Sequence, residues 1–380
     1  MTQQHFRPTK AFIDLQAIQN NIQNLKKILQ PHVQVIAVVK ANAYGHGDVA
    51  VAQAALEAGA TILAVATPEE ALHIRAHFAT PDIVLLGACP VAFVPFAAEQ
   101  RITVTVFDTE WVQQATSLLT HSTIPLRLHI KVDSGMGRLG VRTEEALLAV
   151  YQSIEMAQSM EIDGIFTHFA TADEENVQYF EQQVQFFERC LAVLPKKPRL
   201  IHASNTAAAL VKQTDLQYDA VRFGISMYGL APSAYVNDIL PFPLKPAFYL
   251  ESALVHVKEL HTGDAVGYGA EFIAPTNMWL GTLPIGYADG MLRKLSGQEV
   301  LIDGQRVPIV GRICMDQCMI ALPKAYAIGE KVTLIGGQGQ EIISMEEWAT
   351  KLDTINYEIP CMITQRVPRI YGEHVCFDAE

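Results

Sequence analysis

The 380-residue chain has no apolar run long enough to cross a membrane as a helix; its most apolar stretches, such as 35–39 and 83–88, are strand-sized. Its first residues, MTQQHFRP, lack a basic segment followed by an apolar one, so we read no secretory signal and expect a cytoplasmic protein. Cysteine is sparse and unpatterned. Cys89, Cys190, Cys314, Cys318, Cys361 and Cys376 form no C-x-x-C pair. Cys314 and Cys318 are spaced C-x3-C, but no second pair or histidine cluster completes a zinc set, so no metal is expected and the thiols are read as reduced and mostly buried. Positive charge is in deficit too: 28 Lys and Arg against 40 Asp and Glu give a net charge of -12. That argues against non-specific binding to nucleic acid or to an anionic membrane. It leaves a small substrate open, because a local basic pocket can sit on an acidic protein. Repeats and low-complexity tracts are missing as well.

What is present is a globular composition, with half the residues apolar and 18% charged, at a length that suits two domains. Leu15, Ile18, Ile22, Leu25 and Leu29 recur at spacings of three and four, which predicts a helix with Asp14 as N-cap and Pro31 past its end. A nearly continuous apolar run over 33–39 then predicts a strand buried on both faces. Further strands are expected at 62–66, 83–87, 102–106, 126–132, 162–167, 199–203 and about 220–225. Helical segments at 49–58, 69–77, 111–119, 144–159, 177–194 and 207–212 separate most of them. Eight strands in a βα rhythm fit an α/β fold with a parallel (β/α)8 barrel over 10–240, an open doubly wound sheet being the alternative. After the proline-rich stretch 241–246 the composition changes. Short strands at 249–259, 278–283, 299–303, 307–313 and 331–335, with Gly-rich turns and one helix near 344–351, predict a mostly β domain over 241–380. Residues 1–9 are expected to join it.

Lys40 stands where the first apolar strand stops, in VVKANAYGHG. In a barrel the C-terminal strand ends carry the active site. A lysine there is partly desolvated, its pKa falls, and the neutral amine can attack a carbonyl, as an imine-forming lysine must. A lysine whose head merely snorkels to the rim is the competing reading. Further on, His202-Ala-Ser-Asn-Thr206 follows the seventh strand and Arg222-Phe-Gly-Ile225 lies in the eighth. Helix-start amides, the hydroxyls of Ser204 and Thr206, and Gly224 suit an anion, although plain helix capping would use the same residues. An imine-forming lysine with a phosphate site suggests pyridoxal phosphate. If Arg222 donates to the pyridine nitrogen, the ring stays unprotonated and is a weaker electron sink, which limits side reactions; a structural ion pair is the alternative role.

The same residues carry a resemblance. AVVKANAYGHG around Lys40, KVDSGMGRLG at 131–140, THFATADE at 167–174, SNTAA at 204–208 and RFGISMYGL at 222–230 resemble bacterial alanine racemases. So do VGYGAEF at 266–272, PIGYADG at 284–290, GRICMDQ at 311–317 and INYEIPC at 355–361. Nine motifs in register cover nearly the whole chain. The resemblance implies a pyridoxal-phosphate enzyme that interconverts L- and D-alanine, serving peptidoglycan or alanine breakdown. It implies that Lys40 holds the cofactor and acts as one base, with Tyr268 as the second on the opposite face. It also implies a homodimer in which Tyr268 and Met315 reach the partner's site, with Asp316 beside them.

By the same resemblance, His168 would support Arg222, and Tyr44, Tyr357, Asn205, Thr206, Gly224 and Ile225 would bind the phosphate end. Arg138 would hold the substrate carboxylate side, Tyr287 would stand at the substrate channel, and Lys131 would be carbamylated and pair with Arg138. Many members have Ser where this chain has Thr206; the hydroxyl survives. Taken singly, the tyrosines and Met315 read as packing residues, and Lys131 and Arg138 as a rim pair with Asp133. Three alternatives stay open: a serine or broad-specificity racemase, a related decarboxylase, and a non-enzymatic pyridoxal-phosphate carrier barrel. Arg222 argues against the decarboxylase, and the β domain with Tyr268 against the carrier.

Overall fold

A computed structural model describes residues 5–120, 122–212 and 214–372, so Cys376 lies outside the described residues. The chain forms two compact units. One comprises Ala17–Ala43 and Asp48–Lys245; the other comprises Pro246 onward with the described residues up to Gln16 and the short segment Tyr44–Gly47.

The chain begins with strand β1 (Lys10–Asp14), which passes directly into the helix Leu15–Ile28. That helix buries Ala17, Ile18, Ile22 and Leu25 on one stripe, as the spacing of its apolar residues requires. Eight parallel strands follow: β2 (Gln34–Val38), β3 (Ile62–Val65), β4 (Asp82–Ala88), β5 (Ile102–Val106), β6 (Leu126–Lys131), β7 (Met160–Phe166), β8 (Leu200–His202) and β9 (Ala220–Phe223). Each pairs with its successor from β2 to β8, and β9 returns beside β2, with Gln34 opposite Ala220. The seam between β8 and β9 has no strand ladder. It is bridged by Asp219 N–H to Ile201 O (3.0 Å), Ile201 N–H to the Asp219 carboxylate (2.7 Å) and Arg222 N–H to Ser204 O (3.0 Å). This nearly closed barrel is the expected architecture; an open sheet would leave β9 far from β2. Side-chain caps fix the helix starts. Thr67 and Glu70 form a capping box, and Asp108, Thr143 and Asn205 each accept an N–H of the helix that follows.

The second unit is mostly β, as its composition implied. Its strands are β10 (Phe248–Ala253), β11 (His256–Leu260), the short pair β12 (Ala265–Val266) and β13 (Phe272–Ile273), β14 (Met278–Leu283), β15 (Glu299–Ile302), β16 (Gln305–Val310), β17 (Cys318–Leu322), β18 (Lys331–Gln338), β19 (Glu341–Ile343) and β20 (Arg369–Gly372). The main sheet runs β11-β14-β17-β16-β15-β18-β10-β1-β20. Thus β1 joins this sheet, antiparallel to β10 and parallel to β20. The single strand expected over 249–259 is two. At Leu254 and Val255 the backbone changes partners, Leu254 N–H bonding to Glu330 O and Val255 N–H to Thr282 O, so β10 and β11 lie far apart in the sheet order. The strand expected to reach residue 313 ends at Val310, because Gly311 turns into the left-handed region (φ 69°). Ser344 and Glu347 box the start of the expected late helix, Met345–Leu352; the helix Glu358–Met362 had no clear periodic signal.

Candidate active site

Lys40 follows β2 by one residue and is half-buried. The backbone after it is unusual. Ala41, Asn42 and Ala43 have φ of 53°, 53° and 51°, and Tyr44 continues at 52°. Left-handed backbone costs an L-residue roughly 1–2 kcal/mol, so the turn must be held. Ala43 N–H bonds to Val39 O (2.9 Å), Asn42 Oδ1 accepts from Asp48 N–H (3.1 Å), and Glu70 Oε1 accepts from Ala41 N–H (2.7 Å). The other Glu70 oxygen takes the N–H groups of Ala66 (2.8 Å) and Thr67 (3.2 Å). Glu70 therefore couples the residue after Lys40 to the end of β3. Sequence reading missed it, although the T-x-x-E spacing of Thr67 and Glu70 is a capping-box signal.

Arg222, on β9, is 3% exposed. Its Nη1 donates to His202 Nδ1 (2.7 Å) and His202 O (3.2 Å); its Nη2 donates to Thr167 O (2.9 Å), Ala203 O (2.7 Å) and His168 Nδ1 (3.2 Å). None of these partners is a carboxylate, and Nε takes part in none of these bonds, so the ion-pair alternative has no support here. Burial, with Arg138 nearby, pushes the Arg222 pKa down to about 9, which still leaves it cationic at neutral pH. His168 is held neutral, well below the ordinary imidazole range, by burial and then by Arg222, Lys131, Arg138 and Lys40. His168 and Arg222 thus meet.

Lys131 ends β6 at 5% exposure, its Nζ 4.7 Å from the centre of the Phe166 ring and without a hydrogen-bond partner among the described residues. Burial, then Arg222 and Arg138, hold its pKa well below the ordinary lysine range. The rim pair with Asp133 does not form. Asp133 instead accepts the N–H groups of Gly135 (3.1 Å) and Gly137 (2.9 Å), which shapes the exposed loop carrying Arg138.

At the ends of β8 and β9, Asn205 caps the helix Thr206–Val211 and donates to Phe169 O (3.1 Å). The Gly224 amide donates to Thr206 Oγ1 (2.9 Å), so the threonine proton is directed elsewhere. Ile225, 1% exposed, opens the next turn.

In the β unit, Tyr44 and Tyr357 face each other with ring centres 6.3 Å apart. Burial, and then Cys361, raise the Tyr44 pKa, so its phenol keeps its proton. Tyr287 and Met315 lie on adjoining loops: Tyr287 N–H bonds to Cys314 O (3.0 Å) and Ala288 N–H to Met315 O (3.0 Å). A Cβ on Gly286 would come within 2.3 Å of Cys314 O, so only glycine permits this approach. Asp316 pairs with Arg366 (2.7 Å). Tyr268 stands between Gly267 (φ 73°) and Gly269 (φ 74°), 71% exposed. Both glycines pack against Arg312, which is paired with Glu271, and this ties the Tyr268 loop to the stretch that leads to Met315. Met315 is 53% exposed.

These groups predict how stability depends on pH. His168, His202 and His129 are each held neutral, burial being the largest cause, whereas an unfolded histidine titrates near ~6.5. Below that pH the unfolded chain binds more protons. The stabilisation is therefore complete above about pH 6.5 and falls as pH falls, by up to about 1.4 kcal/mol per pH unit for each ring. Lys131 has the same sign, its contribution already shrinking below about pH 10.5. Urea melts from pH 8 to pH 5 should lose stability throughout, most steeply below about 6.5; a flat profile would contradict neutral buried rings.

Fold and site together define a barrel enzyme with an appended β domain, its polar residues gathered at the C-terminal strand ends. Two family models match: alanine racemase, N-terminal domain, over residues 13–232, and alanine racemase, C-terminal domain, over 247–371. An alanine racemase from Geobacillus stearothermophilus is 52% identical over 97% of this chain and 94% of its own. The crystal structure of a Bacillus anthracis alanine racemase with bound L-Ala-P superposes with a TM-score of 0.94 at 45% identity, covering 98% of this chain and 96% of that one. A histidine racemase from Leuconostoc mesenteroides gives 0.92 at 33% identity, covering 98% and 100%. The chain belongs to the alanine racemase family, and its activity is the racemisation of alanine. Among the described residues no helix is long and apolar enough to cross a membrane, and no cluster of His, Cys, Asp or Glu could hold a metal ion.

Proposed function

We propose that this racemase works with pyridoxal phosphate and two bases, Lys40 and Tyr268, in a cytoplasmic homodimer with shared sites. The observation that carries this reading is the buried arginine at the barrel's C-terminal end. Arg222 is oriented by five bonds to neutral acceptors, with Nε outside them, in the same barrel end as Lys40. The residues suit the cofactor. Lys40 would hold it, Arg222 would face its ring nitrogen with His168 in support, and Asn205, Thr206, Gly224, Ile225, Tyr44 and Tyr357 would take its phosphate. When bound, the cofactor would supply an electron-withdrawing ring that acidifies the amino acid's Cα–H.

The chain's own residues would do the rest. Lys40 moves the proton on one face and Tyr268 on the other, the arrangement an inversion requires. Arg138 holds the substrate carboxylate side, and Met315, Asp316 and Tyr287 line the substrate's approach. Tyr268 and Met315 are held out on loops at 71% and 53% exposure, which suits residues that a second copy would meet. Proton NMR of the cofactor-loaded protein with L-alanine, L-serine or L-histidine in deuterium oxide, with chiral analysis, tests the reading. Cα deuteration with D-alanine formed much the fastest, and only with the cofactor loaded, supports it; no exchange, or exchange without the cofactor, would overturn it.

Lys131, its pKa held well below the ordinary lysine range and its Nζ without a hydrogen-bond partner among the described residues, is also suited to react with carbon dioxide and become an anion facing Arg138. With 13C-labelled bicarbonate, a carbamate signal is expected in the protein and should vanish in Lys131→Ala. An unchanged spectrum in that variant would place the modification elsewhere.

A further inference from the structure

One buried line of hydrogen bonds in the barrel runs to Arg222 from residues given no role in the chemistry above. His129 Nε2 meets Asp163 Oδ2 at 3.1 Å, His129 Nδ1 meets His202 Nε2 at 3.1 Å, and His202 Nδ1 meets Arg222 Nη1 at 2.7 Å. Both rings are fully buried, and Asp163 is 8% exposed. Gly164 makes room for the first ring: a Cβ there would come within 2.6 Å of two His129 ring atoms. We propose that Asp163 is a positioning residue that sets the tautomers of His129 and His202 and so fixes how Arg222 is held. The proposal rests on Arg222 facing the cofactor.

The argument follows the protons. Arg199 donates to both Asp163 oxygens, from Nε (2.7 Å) and Nη2 (2.8 Å), so the carboxylate is ionised and can only accept. Burial pushes the Asp163 pKa up, but the bonds from His129 and Arg199 outweigh it and hold it below the usual carboxylate range. His129 must therefore carry its proton on Nε2. The ring is neutral, so Nδ1 is bare and accepts from His202 Nε2–H. His202, neutral in turn, presents a bare Nδ1 to Arg222. Reversing any one tautomer would set two protons, or two lone pairs, against each other in a site without water's dielectric. A carboxylate that orders an imidazole tautomer is an established device; here two rings carry it onward to an arginine.

The test uses the full-length protein with 15N-labelled histidine and long-range proton–nitrogen correlation, first without cofactor. His129→Gln and His202→Gln assign the signals. Both rings are expected as Nε2–H tautomers at neutral pH. Asp163→Ala should shift His129 to a tautomer mixture and move His202 with it, although His202 touches neither the aspartate nor the new side chain. Asp163→Asn, which keeps the shape, should give a smaller shift and serves if the alanine variant does not fold. An Nδ1–H ring in the wild type, or tautomers unchanged in both variants, would overturn the proposal. With cofactor, kcat should fall roughly 10–100-fold with KM little changed. The coupled tautomer shift with no loss of kcat would leave the histidine line standing and sever it from Arg222's proposed task; wild-type tautomers other than those expected would refute the line itself, whatever the cofactor.

Discussion

Lys40→Ala is expected to abolish racemisation and to remove the borohydride-trappable cofactor, while the barrel keeps its stability. The stability half rests on what holds the turn. Lys40 is half-buried, and the left-handed backbone after it is held by the Ala43–Val39 main-chain bond, the Asn42 side chain and Glu70. The activity half rests on the amine having two tasks, holding the cofactor and moving a proton. A single general base contributes about 10²–10⁴-fold, so losing both should leave no measurable turnover. Tyr268→Ala should behave differently. It removes only one proton carrier, so solvent exchange of the D-alanine Cα proton should persist while racemisation falls by about 10²–10⁴-fold. The two inactive chains, mixed and allowed to exchange subunits, should recover part of the activity if each site is built from two copies. No recovery despite demonstrated exchange would contradict the shared site, and a Lys40→Ala protein that still racemises alanine would contradict the assignment of the amine.

Much of this is legible in the sequence. The buried strands announced themselves because a parallel barrel strand is apolar on both faces, and the eight runs appear in the order in which they pair. Lys40, Arg222 and the Asn205–Thr206 helix start were visible because each interrupts such a run with a polar group. What stayed hidden is long-range or conformational. Nothing local marks Ala41–Ala43 as left-handed, since alanine ordinarily avoids that region; part of what holds the conformation is Glu70, 29 positions away from Ala41. Asp163 and His129 look like ordinary strand residues, and only the pairing of β6, β7 and β8 aligns them with His202, 73 positions from His129. The strand pair β10 and β11 reads as one run because its break comes from a change of partners, not from a turn residue. Chemistry at strand ends was readable; the hydrogen bonds that orient it come from the fold.

Arg222→Ala is expected to destabilise the barrel strongly. The substitution strands two main-chain carbonyls, Thr167 O and Ala203 O, and the bare His202 Nδ1 in a dry interior. Each unsatisfied buried group costs about 1–3 kcal/mol. Part of the loss is offset, because Arg222 is itself buried at a cost and disfavours charge on its neighbours Lys131, His168 and His202. We therefore expect a net loss on the order of a few kcal/mol in urea unfolding of the cofactor-free protein, with the midpoint shifted and the slope unchanged. Arg222→Lys should fall between alanine and wild type. It keeps the cation, but a tetrahedral ammonium cannot satisfy, from one position, the five acceptor contacts that a planar fork spans. The pH profile separates the two parts of the effect. With the cation gone, His168 and His202 should protonate more readily, so the stability of Arg222→Ala should fall less steeply below about pH 6.5 than that of the wild type. If alanine were as stable as arginine here, Arg222 would be a guest in a preformed barrel. The five convergent bonds say that the ends of β7, β8 and β9 are built around it.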